Sequence, residues 1–414
     1  MSHRPLFRVL LSVMLLIVAL SACGGAPQAA KPTDAPAAKP TDAPAAKPTD
    51  APATKPTDAP ASKPTDAPAA KPTDAPTAAA TTLPAATLAV PTALPGTYPQ
   101  ITITNKPDKV RIGYQVIPNA ELLAKRLGWY EQVLGVPIEW KQFESGRDVN
   151  TAIAAGGIDI GLVGSSPASN AVSQGLPYDV IAIHDVIGNA EALAARAPIK
   201  TIADLKGKKI GAPFGSTTHY SLLQILQLNG IKPEDVTLLD LNPSDLLAAW
   251  TRGDIDAAYV WQPTLQKLYD NGGTKLIGSD EVAAKGFPTF DLSVATHDFS
   301  SKYPEVVAAY VQTLSRAVEF YRANPDQATE YIAQELNITP AETKAQIEGL
   351  IWLTADEQIA TTYFGTTDKP GALGQALKTT ADFLLAQKVI RSTPELAAFQ
   401  KAANPRFLQL AVGK

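Results

Sequence analysis

Three hydroxyl residues in a row, Ser216, Thr217 and Thr218, follow Gly211-Ala212-Pro213-Phe214-Gly215 and precede an apolar stripe of Leu222, Leu223, Ile225, Leu226 and Leu228 at helical spacing. Lys208-Lys209-Ile210 before them reads as the end of a short strand, and Gly230, with Ile231 and Pro233 beyond it, stops the helix. The order is strand, glycine-rich turn, hydroxyls, helix. Backbone N–H groups at a helix start have no intrahelical partners, and the helix dipole adds partial positive charge there. With hydroxyl donors alongside, the segment offers a seat to an anion. Taken alone, the same residues read as an ordinary Ser/Thr N-cap. A second hydroxyl pair, Ser165-Ser166, follows Gly164 and precedes Pro167, a favoured first helical residue.

The elements that must position these residues alternate in type. Val110–Gln115, Ile138–Phe143, Ile158–Val163 and Val180–His184 read as strands; Glu121–Gly128 and Arg147–Ala155 read as helices between them. Such alternation predicts an α/β fold with a mostly parallel sheet. The device then recurs: Gly157-Ile158-Asp159 running to Val163 and Gly253-Asp254-Ile255-Asp256 running to Val260 both follow a helix and both lead to a proline. Two similar α/β lobes are the economical account. After one more strand, Leu292–Ala295, the chain predicts helices over Pro304–Ala323, Asp326–Glu335, Pro340–Ile351 and Gly371–Gln387, which wrap a finished sheet.

The N-terminus gives an address. His3-Arg4 and Arg8 precede an apolar run, Val9 to Leu20, too short to span a bilayer and suited to a signal peptide. Leu20-Ser21-Ala22-Cys23-Gly24 resembles a bacterial lipobox, which implies cleavage before Cys23 and lipidation of its sulfur. Cys23 is the only cysteine of the 414 residues, so an intrachain disulfide is excluded. Residues 31–78 repeat Lys-Pro-Thr-Asp-Ala-Pro-Ala-(Ala/Thr/Ser) six times, Thr77-Ala78 ending the last copy, with no large apolar side chain, so they cannot bury a core. Residues 1–22 are expected to be the signal peptide and 23–106 a disordered, proline-rich tether. Formal net charge is −4 and the mature chain has no long basic run, so nucleic-acid binding has no electrostatic support.

Gly113-Tyr114-Gln115, Gly164-Ser165-Ser166-Pro167, Gly188-Asn189-Ala190-Glu191-Ala192-Leu193, the run Pro213 to Leu223 containing Ser216-Thr217-Thr218-His219-Tyr220, Ala248 to Trp261 and Pro288-Thr289-Phe290-Asp291 are similar, in order and spacing, to the periplasmic taurine-binding proteins of ABC importers. The resemblance covers about residues 108–400; aliphatic-sulfonate and nitrate receptors are broader relatives. It implies a bilobal periplasmic-binding-protein-like fold of type II, with two mixed-sheet α/β lobes joined by a two-crossing hinge. Lobe 1 is then 107–195 plus 293–414 and lobe 2 is 196–292, with crossings near Ala194–Pro198 and Asp291–Ala295. The implied protein is a monomeric, extracytoplasmic, membrane-anchored receptor. It hands taurine or a similar small sulfonate to an ABC permease and ATPase complex, without catalysis, cofactor or metal.

On that resemblance Ser165, Ser166, Ser216, Thr217 and Thr218 receive the sulfonate, and Glu191 and Asp291 the ammonium. Two converging buried carboxylates need a cation or a shared proton. Gln115 and Tyr114 add a donor and an apolar wall, and Trp261 covers the two-carbon spacer or packs in the core. His219 and Asn189 are ligand candidates whose residue types are explained equally by capping a helix start and ordering a turn. The loop Val116–Glu121 departs from the family pattern and borders the expected cleft, which leaves selectivity open. Competing readings are a receptor for non-amino alkanesulfonates or for another small anion or heterocycle, and an enzyme like those of pyrimidine synthesis. The last lacks sequence support: His184, His219 and His297 have no metal-ligand spacing, and no Gly-x-Ser-x-Gly elbow is present.

Overall fold

The computed structural model describes residues 94–414. The expected signal peptide, Cys23 and the octapeptide repeats lie outside the described residues. In chain order the strands are β1 (Val110–Gln115), β2 (Ile138–Phe143), β3 (Ile160–Gly164), β4 (Tyr178–Ile187), β5 (Glu191–Arg196), β6 (Lys209–Ala212), β7 (Thr237–Asp240), β8 (Ala257–Trp261), β9 (Gly273–Gly278), β10 (Phe290–Thr296) and β11 (Leu350–Trp352). They form two mixed sheets, ordered β11-β4-β10-β3-β1-β2 and β7-β6-β8-β5-β9.

The two sheets share one plan. β1 pairs in parallel with β2 and β3, as β6 does with β7 and β8. Each sheet then takes an antiparallel strand, β10 or β5, that follows a passage from the other sheet. The repeated Gly-x-Ile-Asp segments occupy equivalent places, at the starts of β3 and β8. Asp159 Oδ2 accepts from Arg111 N at 2.8 Å, and Asp159 N donates to Arg111 O at 2.8 Å. Asp256 does the same with Lys209, at 2.8 and 2.9 Å. In both lobes the aspartate adds a side-chain rung to the foot of the parallel ladder, which accounts for the recurrence of the residue.

β3 and β4 are buried along their whole length, as strands covered by helices must be. β5 alternates between two cores. Leu193 and Ala195 pack with Ile210, Leu222, Ile225 and Tyr259, whereas Ala192 and Ala194 face Leu246, Trp250, Leu265 and Leu268.

The chain leaves the first sheet after Ile187 and enters the second at Glu191; it returns between Gly278 and Phe290. The crossing expected at Ala194–Pro198 therefore falls at the far end of β5, and the one expected at Asp291–Ala295 falls inside β10. At the first passage Gly188 N and Ala190 N both donate to Gly349 O, at 2.9 and 3.4 Å. A Cβ on Gly349 would stand 2.5 Å from Ala190 N, so the passage requires glycine there.

Two further expectations change. The helix expected over Pro340–Ile351 ends at Ile347, and Leu350–Trp352 instead pairs with Ile187, Val186 and Asp185 at the sheet edge. The tether expected to run to residue 106 is held from Pro95 onward. Arg316 Nη1 donates to Pro95 O at 2.7 Å, Tyr98 OH donates to Glu319 Oε1 at 2.9 Å, and Gln312 Nε2 donates to Pro99 O at 3.0 Å. Tyr98 also lies under the Arg316 guanidinium, 4.9 Å from ring centroid to Cζ. These partners all lie on the long helix Pro304–Ala323, and Tyr98 gives the segment an aromatic anchor of a kind absent from the repeat sequence.

Candidate functional site

β1, β3 and β4 end, and β10 begins, on one edge of the first sheet; β6 and β8 end, and β5 begins, on one edge of the second. Carboxyl ends of parallel strands are where open α/β sheets bind ligands. A cleft of about 480 Å³, counting its open mouth, lies there. Gln115, Ile117, Pro118, Gly164, Pro167, Glu191, Ser216, Thr217, Trp261 and Asp291 line it.

Two helices start at this cleft. Ser165–Ser173 follows Gly164 without a side-chain cap, and Thr217–Leu228 follows Ser216, whose Oγ accepts from His219 N at 3.2 Å. Ser166 Oγ donates to Gly215 O at 3.0 Å, joining the two starts. A Cβ on Gly164 would stand 2.7 Å from Thr217 Cγ2, so the approach depends on a glycine. Nearby, Arg147 pairs with Asp240 at 2.7 Å, and Ser244 shares its one hydroxyl hydrogen between the two oxygens of Glu144.

A hydroxyl has one hydrogen to give. Ser216 gives its own to Pro213 O at 2.6 Å, so Thr218 is the donor in the 2.8 Å contact between Thr218 Oγ1 and Ser216 Oγ. Thr217 gives its hydrogen to Glu191 Oε1 at 2.5 Å, and Ser166 to Gly215 O. Ser165 Oγ accepts from Phe290 N at 3.2 Å. The hydroxyls expected to be anion donors are thus largely committed to holding the two helix starts in place. What the starts offer an anion is backbone N–H.

Two acids stand beside these helix starts, Glu191 against Thr217 and Asp291 across the strands from Gly164. Glu191 opens β5, directly opposite Trp261 of β8. It is buried, and accepts from Thr217 Oγ1 and, at 3.2 Å, from Ser279 Oγ. Burial, then the neighbouring Asp291 charge, pushes its pKa up to about 8 against the pull of these hydroxyls. Asp291 lines the same cleft near the start of β10, and burial raises its pKa to about 7. Behind it stands a carboxylate that sequence reasoning missed. Asp185 is fully buried, is the cross-strand partner of Asp291, and finds no hydrogen-bond partner for either oxygen. The signal available was a polar pair, His184-Asp185, interrupting an apolar strand. No Lys, Arg or His is among the residues lining the cleft.

The other expected residues divide. Gln115 lines the wall, with Nε2 donating to Leu162 O at 3.1 Å. Tyr114, its neighbour on β1, points to the opposite face by strand alternation, edge-on to Trp140 at 5.9 Å and under Lys125 Nζ at 5.0 Å. Asn189 is exposed at the crossing. His219 is buried away from the lining: its Nδ1 accepts from Gly215 N at 3.2 Å, its ring stacks on Phe214 at 4.3 Å, and burial lowers its pKa to about 4. Ser165, Ser166 and Thr218 stand one layer behind the lining. Ile117 and Pro118 bring the divergent loop to the cleft, as expected, and Ile187, Gln262 and Leu350 line it without having been anticipated.

Residues 119–328, about half of the chain, match the family model described as NMT1/THI5 like. The chain is 36% identical over 307 residues to the taurine-binding periplasmic protein of Escherichia coli (strain K12), a match covering 72% of this chain and 92% of that protein. Among solved structures, the alkanesulfonate-binding protein SsuA from Xanthomonas axonopodis pv. citri bound to MOPS is similar with a TM-score of 0.61 and 24% identity, over 72% of this chain and 99% of that one. The desulfurization enzyme DSZB shares the fold at a TM-score of 0.53 and 17% identity, over 74% of this chain and 99% of its own, so the fold also carries catalysts. With a bilobal α/β architecture, a cleft at the strand ends, a family match over half its length and a relative more than a third identical, this chain belongs to the NMT1/THI5-like family of periplasmic-binding-protein folds.

Proposed function

We propose that this protein is the solute receptor of an ABC importer and binds taurine, or a closely related small amino-sulfonate, between its lobes. One observation carries the reading: a cleft that sets two helix starts beside two carboxyl groups and whose lining has no basic side chain. Two helix starts present backbone N–H groups to it, and beside them Glu191 and Asp291 present carboxyl groups. A plain anion would meet two acids there. A zwitterion with a permanently ionised sulfonate and an ammonium satisfies both the N–H groups and the acids. Neutral donors for the anion also permit release to a permease. Trp261, opposite Glu191, offers an apolar face to a short carbon spacer. The similarity to the taurine-binding protein of Escherichia coli supports this choice over an alkanesulfonate without an amine.

On this reading the lobes meet at the passages beside Gly188 and before Phe290. Cys23 is the lipid-bearing residue that keeps the receptor at the outer face of the cell membrane. Among the described residues no helix is long and apolar enough to cross a membrane. Replacing Cys23 by Ser should release the protein into the soluble fraction. Titration calorimetry tests the ligand assignment. Taurine should bind at micromolar concentration, roughly −8 kcal/mol, and more tightly than ethanesulfonate. Heat from ethanesulfonate alone, with none from millimolar taurine, would refute it.

A further inference from the structure

β4 and β10 do not pair evenly. Asp291 pairs with Asp185 and Leu292 with Ile183, which leaves His184 as the extra residue of a β-bulge. Bulges re-aim side chains and disturb the ladder locally. Directly opposed residues on antiparallel strands put their side chains on the same face, where two like charges are destabilising. Asp185 and Asp291 hold such a position, and Asp185 is fully buried with both oxygens unpartnered.

The groups around Asp185 give it no counter-charge. From β10 comes Asp291, and from β5 comes Glu191, both acids that raise its pKa beyond what burial alone does. From β11 comes the neutral Trp352, and from the helix Ala355–Gln358 comes Gln358, which is occupied with the backbone of Ile183. His184, next to it on β4, is held neutral by burial, its pKa lowered to about 3. Three carboxyl groups therefore converge where the proposed ligand brings one positive charge.

We propose that Asp185 makes ligand capture an exchange of a cation for a proton: the Asp185–Asp291 pair holds a proton in the empty receptor, and the ligand's ammonium displaces it to solvent. Asp185 acts here through Asp291 and is a positioning residue, behind the cleft wall. One carboxyl O–H bond breaks, the proton leaves to bulk water, and the carboxylate pairs with the incoming –NH3+. The inference rests on the amino-sulfonate reading of the cleft.

The test is calorimetry of taurine and of ethanesulfonate in buffers of different protonation enthalpy. At about pH 6 taurine should release about one proton from the pair, beyond any that Glu191 gives up, and ethanesulfonate none, with taurine affinity rising at least about tenfold per pH unit until the acids ionise. In Asp185→Asn the release should fall well below that of the parent protein, and the break in the affinity profile should move to lower pH. Taurine bound without proton release, or Asp185→Asn releasing as many protons with an unmoved break, would overturn the exchange while leaving the amino-sulfonate reading standing. Taurine failing to bind at any pH, with ethanesulfonate bound, overturns that reading and the exchange with it. Should Asp185→Asn not fold, the contrast between taurine and ethanesulfonate in the parent protein decides the matter alone.

Discussion

Thr217 Oγ1 lies 2.5 Å from Glu191 Oε1 and donates its hydrogen to it. Thr217 thus joins a helix start to an acid, its backbone N–H belonging to the one and its side chain to the other. Thr217→Val keeps the volume and the β-branch and removes the donor. Glu191 then ionises less readily, and taurine binding at neutral pH should weaken by about 1.5–3 kcal/mol, the range for a hydrogen bond to a charged group. Thr217→Ser should recover most of the loss. Calorimetry of the two variants checks this, and equal affinities would separate Thr217 from the acid's role.

Glu191→Gln leaves the shape of the cleft and removes a carboxyl group that can ionise against an ammonium. Taurine should lose about 1–3 kcal/mol, and ethanesulfonate should be spared. Equal losses for both ligands would place Glu191 outside the ammonium site.

Gly164→Ala adds a methyl group 2.7 Å from Thr217 Cγ2, across the contact between the helix starts. The contact joins the two lobes and not the core of either. Ligand binding should therefore weaken, by about 1–3 kcal/mol for both sulfonates, while thermal stability of the empty protein stays nearly unchanged. Gly349→Ala is the contrast. Its Cβ meets backbone at the lobe passage, 2.5 Å from Ala190 N, so it should lower the melting temperature itself.

Burial sets a pH dependence of stability. Glu191 titrates at about 8 and Asp291 and Glu121 at about 7 in the folded chain, all above the ordinary carboxyl range. A raised carboxyl pKa means that the native state keeps protons the unfolded chain releases near pH 4. The resulting stability is complete below about pH 4 and is lost as pH rises through about 7 to 8. The empty protein should melt at progressively lower temperature from pH 6 to about 8.5, and saturating taurine should flatten that slope. A level melting profile of the empty protein would contradict the raised values.

Much of the framework was legible because its signals are local. β1 and β2 fall at the expected residues, and the long helix Pro304–Ala323 starts at its proline and ends as its apolar pattern ends. β5 was not legible. Glu191-Ala192-Leu193-Ala194-Ala195-Arg196 has no β-branched residue, and its alanines suit a helix as well as a strand. It is a strand because β8 and β9 pair with it on both sides, which is tertiary information. The lobe passages moved with it. In the cleft, residue types identified Glu191, Asp291, Gln115 and Trp261, whose elements deliver them to strand ends. Tyr114 was misplaced by one residue of strand alternation, and Asp185 was hidden inside a strand that reads as core. The hydroxyl triplet was found, yet its hydrogens go to Pro213, Glu191 and Ser216, an allocation that only the assembled site reveals.

The clasp between Pro95–Pro99 and the helix Pro304–Ala323 has a mechanical consequence. Whatever pulls on the chain before Leu94 is resisted at Arg316, Gln312 and Glu319, in the first lobe. The load path ends there and does not run through Gly188, Gly349 or the helix starts. Force arriving at the folded part through its N-terminal side is therefore borne by the first lobe alone and does not pry the jaws apart.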